Sequence, residues 1–407
     1  MTPARSITIV GGGVAAFATA GQLRQHGFDG TVTIIEPGGL PYDRPPLTKG
    51  YLTGSVDAPG LTLASEAWYA DNAIRLVDAT ATALQPALGR IELDTGTELA
   101  SDIVVFATGA RPRVLPVAGA TLPGVLYLRT RVDADRLSAH LSPGRHLAII
   151  GAGLIGAEVA SSARRLGVEV TLIDPLGVPL SAAFGSDLAT TLHHWHTLNG
   201  VATVQGNVHQ IERLRGRLSL TVQTAPTPRK VVADAVLVAI GSMPDTTLAS
   251  AAGLDVSDGI IVDGGRRTSH PKVFAVGDCS RKVLGNRYLR REEHWDAALT
   301  DGRVAAACIL GLDLPPESPS WFWTDRYGMH VEVLGHMTDP GTTTVHRAYN
   351  ELRRAVFRLD EDDRLVGTAA IDSPLDIKAA RRLLARGTPV SALQLSDPAV
   401  PLRNLAR

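Results

Sequence analysis

Two short glycine patterns in matched surroundings decide most of what this chain can fold into. The fuller one reads Ile149-Ile150-Gly151-Ala152-Gly153-Leu154-Ile155-Gly156-Ala157-Glu158. A short apolar strand, Leu147 to Ile150, runs into G-x-G-x-x-G and then into a helix of small residues. A further apolar run, Val168 to Ile173, ends on Asp174, 23 residues after Gly151. Each glycine answers a separate physical need. Gly151 permits a tight turn, Gly153 leaves the backbone N–H groups open to a pyrophosphate, and Gly156 lets helix and strand approach closely. The helix N-terminus offers partial positive charge to phosphate. A carboxylate at Asp174 can accept from ribose hydroxyls. The order strand, glycine turn, helix, strand, acid is the context that a dinucleotide-binding pattern requires.

The same unit occurs earlier. Ser6 to Val10 is apolar and β-branched, Gly11-Gly12-Gly13-Val14-Ala15-Ala16 follows, and a small-residue helix runs to about His26. Thr31 to Ile35 is the next strand and ends on Glu36, 25 residues after Gly11. Ala16 takes the third glycine position, which concerns helix packing rather than phosphate approach. Closing stretches repeat as well: Ile103 to Phe106 leads into Ala107-Thr108-Gly109-Ala110-Arg111-Pro112, and Val236 to Ile240 into Gly241-Ser242-Met243-Pro244. Two dinucleotides and two doubly wound α/β domains are expected, the second inserted into the first. The expected boundaries are 1–115 with 245–317, 116–244, and 318–407.

Between the first acid and its closing strand lies Leu40-Pro41-Tyr42-Asp43-Arg44-Pro45-Pro46-Leu47-Thr48-Lys49. Its prolines forbid a central strand. It is a rigid loop that either faces solvent or holds Arg44 and Lys49 against a cofactor. Gly259 to Asp263 reads as a strand, and Val273 to Cys279 as a buried strand that delivers Gly277 and Asp278 at its carboxyl end. That end is where open α/β sheets bind ligands. Glu292 to Leu310 reads as an alanine-rich helix, and Leu314 to Pro319 as a linker. The remainder alternates like strands at Val331–Leu334 and Ala355–Leu359, with helices around Ile377–Arg386 and Val390–Leu395, an α+β domain. Trp321 and Trp323, two apart, face the same side of a strand.

At 407 residues the chain exceeds one core. A net charge of −1 gives no electrostatic case for nucleic acid or an anionic membrane. No apolar run reaches spanning length. Met1-Thr2-Pro3-Ala4-Arg5 leads straight into a strand, so no signal peptide and a cytoplasmic location are expected. Cys279 and Cys308 form no C-x-x-C, so neither a redox dithiol nor a metal site is expected, and Cys279 reads as a small buried residue.

Taken together, the chain resembles the FAD-dependent, NAD(P)H-dependent ferredoxin reductases of bacterial cytochrome P450 and Rieske oxygenase systems. The resemblance rests on both glycine patterns, Pro41 to Lys49, Ala107-Thr108-Gly109, Val276-Gly277-Asp278, Glu293-His294-Trp295 and Trp321-Phe322-Trp323-Thr324-Asp325. It implies that Gly11, Gly13, Val14, Ala15 and Ala16 bind the ADP half of FAD, with Glu36 on its ribose. It places Arg44 and Lys49 along the flavin, Asp278 near the ribityl chain and pyrophosphate, and Trp295 at the isoalloxazine edge. Ala107, Thr108, Gly109, Arg111, Gly277, Glu293 and His294 are further cofactor-binding positions. Gly151, Gly153, Leu154, Ile155, Gly156, Asp174 and Gly241 would bind the nicotinamide dinucleotide, and Trp323 would lie near its stacking site. The pairing of Lys49 with Glu158, near flavin N5 and the nicotinamide, is implied by the resemblance alone.

The implied activity passes electrons from NADH through FAD to an iron–sulfur ferredoxin, of the [2Fe–2S] type or a rubredoxin, in a monomer or weak dimer. NADH is favoured over NADPH because Asp174 repels a 2′-phosphate and Pro175-Leu176-Gly177 supply no arginine; Arg164 or Arg165 reaching in is the alternative. Arg287, Arg290, Arg291 and Arg326 are candidates for a basic docking surface. Ser320 and Arg326 depart from the Pro and Gln common in relatives. The absence of C-x₄-C argues against a disulfide reductase of the glutathione reductase type. An NADH oxidase acting on a small molecule and a non-catalytic NADH-sensing flavoprotein stay open.

Overall fold

Apolar runs without alternation mark strands buried on both faces, and the parallel sheets are built from them. The computed structural model describes residues 4–339, 342–350 and 352–406, so the Met1–Pro3 lead-in lies outside the described residues. The chain divides into two compact units. One comprises Met1–Arg44, Asp57–Arg111 and Ser242–Ser318, the other Pro45–Val56, Pro112–Gly241 and Pro319–Arg407.

In the first unit, five parallel strands lie in the order Val273–Ala275, Ile103–Phe106, Ser6–Val10, Thr31–Ile35, Ile74–Val77. Side-chain parity splits them between two cores. Ile7, Ile9, Ile34, Val105 and Phe274 pack with the helices Val14–Gln25 and Trp295–Leu310. Val10, Ile35, Val104, Phe106 and Ala275 pack on the opposite face with Leu84, Ile91 and Cys279. Gly302 lets the two helices meet: a Cβ there would stand 2.8 Å from Ala15 O and Thr19 N.

The second unit repeats the arrangement with Ala202–Gln205, Glu169–Asp174, His146–Ile150, Ala235–Val238 and Val125–Tyr127, all parallel. It also holds an antiparallel five-stranded sheet, in the order Trp321–Arg326, Met329–Gly335, Leu365–Ile371, Arg354–Leu359, Thr343–Ala348. The helix Pro374–Arg386 covers part of this sheet. The α/β class and the C-terminal α+β domain are thus as expected.

Several element ends differ from the sequence reading, and three of the differences have a local cause. The helix expected from Glu292 starts at Trp295, because His294 is extended and serves as its N-cap. The helix expected over Val390–Leu395 is Ala392–Ser396, since the Ser391 hydroxyl captures the Gln394 N–H and fixes the start there. The strand expected over Val273–Cys279 stops at Ala275, where Gly277 at φ +70° turns the chain into a short 3₁₀ helix, Gly277–Cys279. Among the described residues, no helix is long and apolar enough to cross a membrane.

Candidate active site

The two glycine turns have the same backbone. Gly11 and Gly151 take φ +107° and +101°, a region that favours glycine. A Cβ on either would stand 2.3 Å from a carbonyl of its closing strand, Ala107 O or Ala239 O. Gly13 and Gly153 are the N-caps of the helices Val14–Gln25 and Leu154–Arg165. Val14, Ala15 and Ala16 form the first turn of one helix, and Leu154, Ile155 and Gly156 that of the other. At Gly156 a Cβ would lie 1.9 Å from Gly151 O, while Ala16 is accommodated and fully buried.

Each acid reaches back to its own turn. Glu36 Oε2 accepts from Gly12 N at 2.6 Å, and Asp174 Oδ2 from Ala152 N at 2.8 Å. Burial pushes the Glu36 carboxyl above its ordinary value, opposed by Arg44 and by the Gly12 amide. Arg44 Nη1 lies 2.7 Å from where a Cβ on Gly13 would be. Nothing stands within 4 Å of the corresponding point on Gly153. Both turns therefore fit a dinucleotide: the phosphate approach is lined by a cation in one and open in the other.

The remaining expected residues of the first unit fall as follows. Ala107 is buried, the Thr108 hydroxyl donates to Asp245 O at 2.6 Å, and Gly109 O accepts from Asp245 N at 2.9 Å. Arg111 is exposed. Gly277 N donates to Asp301 Oδ2 at 3.0 Å, and Asp278 O accepts from Arg291 at 3.2 Å. Glu293 binds the Ser242 hydroxyl and Arg291. Trp295 opens the helix behind His294, its Nε1 donating to Asp43 Oδ1 at 2.9 Å. Sequence reasoning missed Asp43 and the fully buried Arg266, whose Nε lies 2.6 Å from Asp301 Oδ1.

In the second unit, Gly241 takes φ +101° and accepts from Arg113 N at 2.9 Å. Lys49 follows the 3₁₀ turn Pro45–Thr48, and its Nζ lies 3.4 Å from Glu158 Oε1. Glu158 is buried in the first helical turns after Gly153 and also accepts from two hydroxyls, Thr48 at 2.5 Å and Thr324 at 2.7 Å. Lys49 has a second carboxylate, Asp325 Oδ2 at 2.9 Å. Its ammonium also sits 5.5 Å from the centre of the Trp323 ring, which stacks on Trp321 at 5.1 Å. The shared face expected of the two tryptophans is what the strand provides.

Asp325 belongs to a motif that carries the resemblance but was given no role, and His330 was not singled out in the sequence. They are cross-strand partners of a hairpin that turns at Tyr327 and Gly328, both at positive φ. The x-Gly pair between two strand-like runs was the available signal. The proposed basic docking surface needs correction. Arg326 is only 2% exposed, because strand alternation puts it with Phe322 and Thr324 on the inward face. Arg291 is drawn into ion pairs with Asp258 and Glu293, whereas Arg287 and Arg290 are exposed.

The profile of the pyridine nucleotide-disulphide oxidoreductase family matches residues 5–302, and that of the reductase C-terminal family residues 321–406. The chain is 36% identical to rhodocoxin reductase of Rhodococcus erythropolis, over 96% of this chain and 92% of that protein. It is 37% identical to the ferredoxin–NAD(+) reductase component of an anthranilate 1,2-dioxygenase system of Burkholderia cepacia, over 97% of this chain and 98% of that one. A solved ferredoxin reductase from Rhodopseudomonas palustris superposes with a TM-score of 0.92 at 29% identity, over 99% of this chain and 100% of that chain.

Proposed function

The chain belongs to the pyridine nucleotide-disulphide oxidoreductase family, and from that premise we propose that it is a ferredoxin reductase, taking electrons from NADH and delivering them to a [2Fe–2S] ferredoxin that serves a cytochrome P450 or Rieske oxygenase. FAD and NAD(H) are its cofactors. Bound FAD supplies the exchange between hydride chemistry and single-electron transfer. We assign residues 1–115 and 245–317 to FAD, 116–244 to NAD(H) and 318–407 to the C-terminal domain, in a cytoplasmic monomer or weak dimer.

The residues divide the work. Gly11, Gly13 and the first turn from Val14 present backbone N–H groups to the FAD pyrophosphate, with Arg44 as counter-charge and Glu36 as ribose acceptor. Gly151, Gly153 and the turn from Leu154 do the same for NADH, with Asp174 on the ribose. Lys49 provides positive charge to the electron-rich reduced flavin, Glu158 and the two hydroxyls that bind it hold that lysine, and Trp323 offers an aromatic face.

The placement of the nearby arginines supports NADH over NADPH. Arg164 and Arg165 lie in the last turn of Leu154–Arg165, roughly 17 Å along the helix from Gly153. Arg164 is also engaged by Asn199 O and Val168 O at 3.0 and 2.9 Å. Neither supports recognition of a 2′-phosphate beside Asp174.

The observation that carries the reading is the pair of alike glycine turns, each with its acid bonded to the turn's own amide. The test is stopped-flow reduction of the yellow protein by NADH and by NADPH, followed by a [2Fe–2S] ferredoxin. Bleaching at least about tenfold faster with NADH, reversed by ferredoxin, is expected. Reoxidation by a small oxidant but not by ferredoxin would favour the oxidase. No bleaching by either nucleotide would remove the mechanism.

A further inference from the structure

Lys49 is shared between two carboxylates that are held differently. Glu158 is buried and already accepts from Thr48 and Thr324. Asp325 is half-exposed and lies closer to the lysine, 2.9 Å against 3.4 Å. Its other oxygen, Oδ1, lies 2.6 Å from His330 Nδ1. One carboxylate therefore bridges an ammonium and an imidazole.

The groups around His330 come from several segments. Asp325 lies opposite it on the neighbouring strand. Glu332, on its own strand, places Oε2 3.7 Å from His330 Nε2. Asp372, just past Leu365–Ile371, accepts from the His330 backbone N–H at 2.9 Å. Glu332 Oε1 in turn accepts from Trp321 Nε1 at 3.1 Å, and Trp321 stacks on Trp323, over which Lys49 lies. The path Lys49, Asp325, His330, Glu332, Trp321, Trp323 closes on itself.

We infer that Asp325 and His330 are positioning residues for Lys49, and that the proton on His330 competes with the Lys49 ammonium for the Asp325 carboxylate. A protonated imidazole neutralises Asp325 and loosens its hold, leaving Lys49 to Glu158. A neutral imidazole returns the full carboxylate charge to Lys49 and draws it toward Asp325. The coupling is reciprocal, because both cations act on the same anion. The directions of titration agree. The bond to Asp325 raises His330 above the ordinary histidine range, partly offset by burial. Burial favours the neutral Asp325, yet hydrogen bonds from His330 and Lys49 hold its carboxyl at about 2.

The inference rests on the proposed place of Lys49 beside the flavin, but its first test does not depend on turnover. The FAD-bound protein is labelled with ¹⁵N-histidine and titrated by NMR without NADH, with His330→Gln identifying the signal. Lys49→Met should move the His330 midpoint to higher pH, and Asp325→Asn to lower pH. An unchanged midpoint in Lys49→Met overturns the inference even if Asp325→Asn does not fold. In stopped flow, the rate of reduction by NADH should change with pH through the His330 midpoint, and His330→Gln should flatten that profile. A profile identical to the parent's also overturns it. Failure of NADH to reduce the parent protein would instead remove the proposed function, leaving the NMR result to stand by itself.

Discussion

The two glycine turns share a backbone and differ in the charge placed beside it. In the first, Arg44 stands where a side chain on Gly13 would be, and the half-buried Glu36 accepts from the Gly12 amide. In the second, the space at Gly153 is open. A turn with its own cation suits a dinucleotide that is held through many turnovers. A turn that relies on helix N–H groups and an open approach suits one that arrives and leaves in each cycle. The same contrast appears in helix packing. Gly156 is crowded by the oxygen of Gly151, whereas the first helix tolerates Ala16 and is approached closely at Gly302 instead.

The largest effects should come from blocking each turn in its own way. Gly151→Val adds a side chain at φ +101°, where its Cβ alone would lie 2.3 Å from Ala239 O. The strain is about 1–3 kcal/mol before the clash is counted. The variant should keep its flavin and lose roughly 100-fold or more in the rate of reduction by NADH. Gly11→Val should instead be recovered with little flavin, read from visible absorbance per mole of protein. A reversal of the two outcomes would exchange the cofactor assignments. A smaller effect is expected at Arg44, where a charge-assisted contact is worth ~1.5–3 kcal/mol. Arg44→Ala should weaken FAD binding by at least about tenfold, measured by flavin release, with NADH affinity unchanged; equal losses for both would end the contrast between the turns.

The smallest effect concerns Glu36 in flavin-free protein. Its carboxyl is raised above 4.5 by burial, which outweighs Arg44 and the Gly12 amide. For a raised group, the stabilising contribution is complete below the unfolded value and is lost as pH climbs through the folded one. Thermal stability should therefore fall, on the order of a degree or two, as pH rises through the Glu36 titration. Glu36→Gln should remove that slope; a slope that persists would assign it to another group.

Strands Ser6–Val10 and Thr31–Ile35 were legible because burial on both faces leaves an unbroken apolar run, and the turns because Gly11 and Gly151 take positive φ with a carbonyl oxygen 2.3 Å from any Cβ. Lys49 and Glu158 meet through tertiary folding that no spacing encodes, so their pairing could enter only through resemblance. Arg326 was legible by parity: Trp321, Trp323 and Asp325 claim one face, which leaves Arg326 on the other with Thr324. Its charge suggested a surface instead. Asp325 and His330 needed the hairpin register, which depends on recognising Tyr327-Gly328 as a two-residue turn. The Arg266–Asp301 pair carries no local signal, since a buried arginine reads in sequence like any exposed one.

That pair constrains how this protein can change over generations. Arg266 is fully buried at φ +67°, and Asp301 divides its two oxygens between Arg266 Nε and the Gly277 N–H. Losing Arg266 leaves the buried Asp301 without its ion-pair partner, and losing Asp301 leaves Arg266 only the more exposed Glu317, 2.9 Å from its Nη2. Breaking such a buried pair costs about 3–5 kcal/mol, a large fraction of the ~5–15 kcal/mol that holds a domain folded. Replacing both with apolar residues, the usual escape from a buried ion pair, here orphans the amide that opens the Gly277–Cys279 turn. Neither single steps nor the obvious double step leads away from it. Descendants of this sequence should keep arginine and aspartate at these positions long after the surface around them has been rewritten.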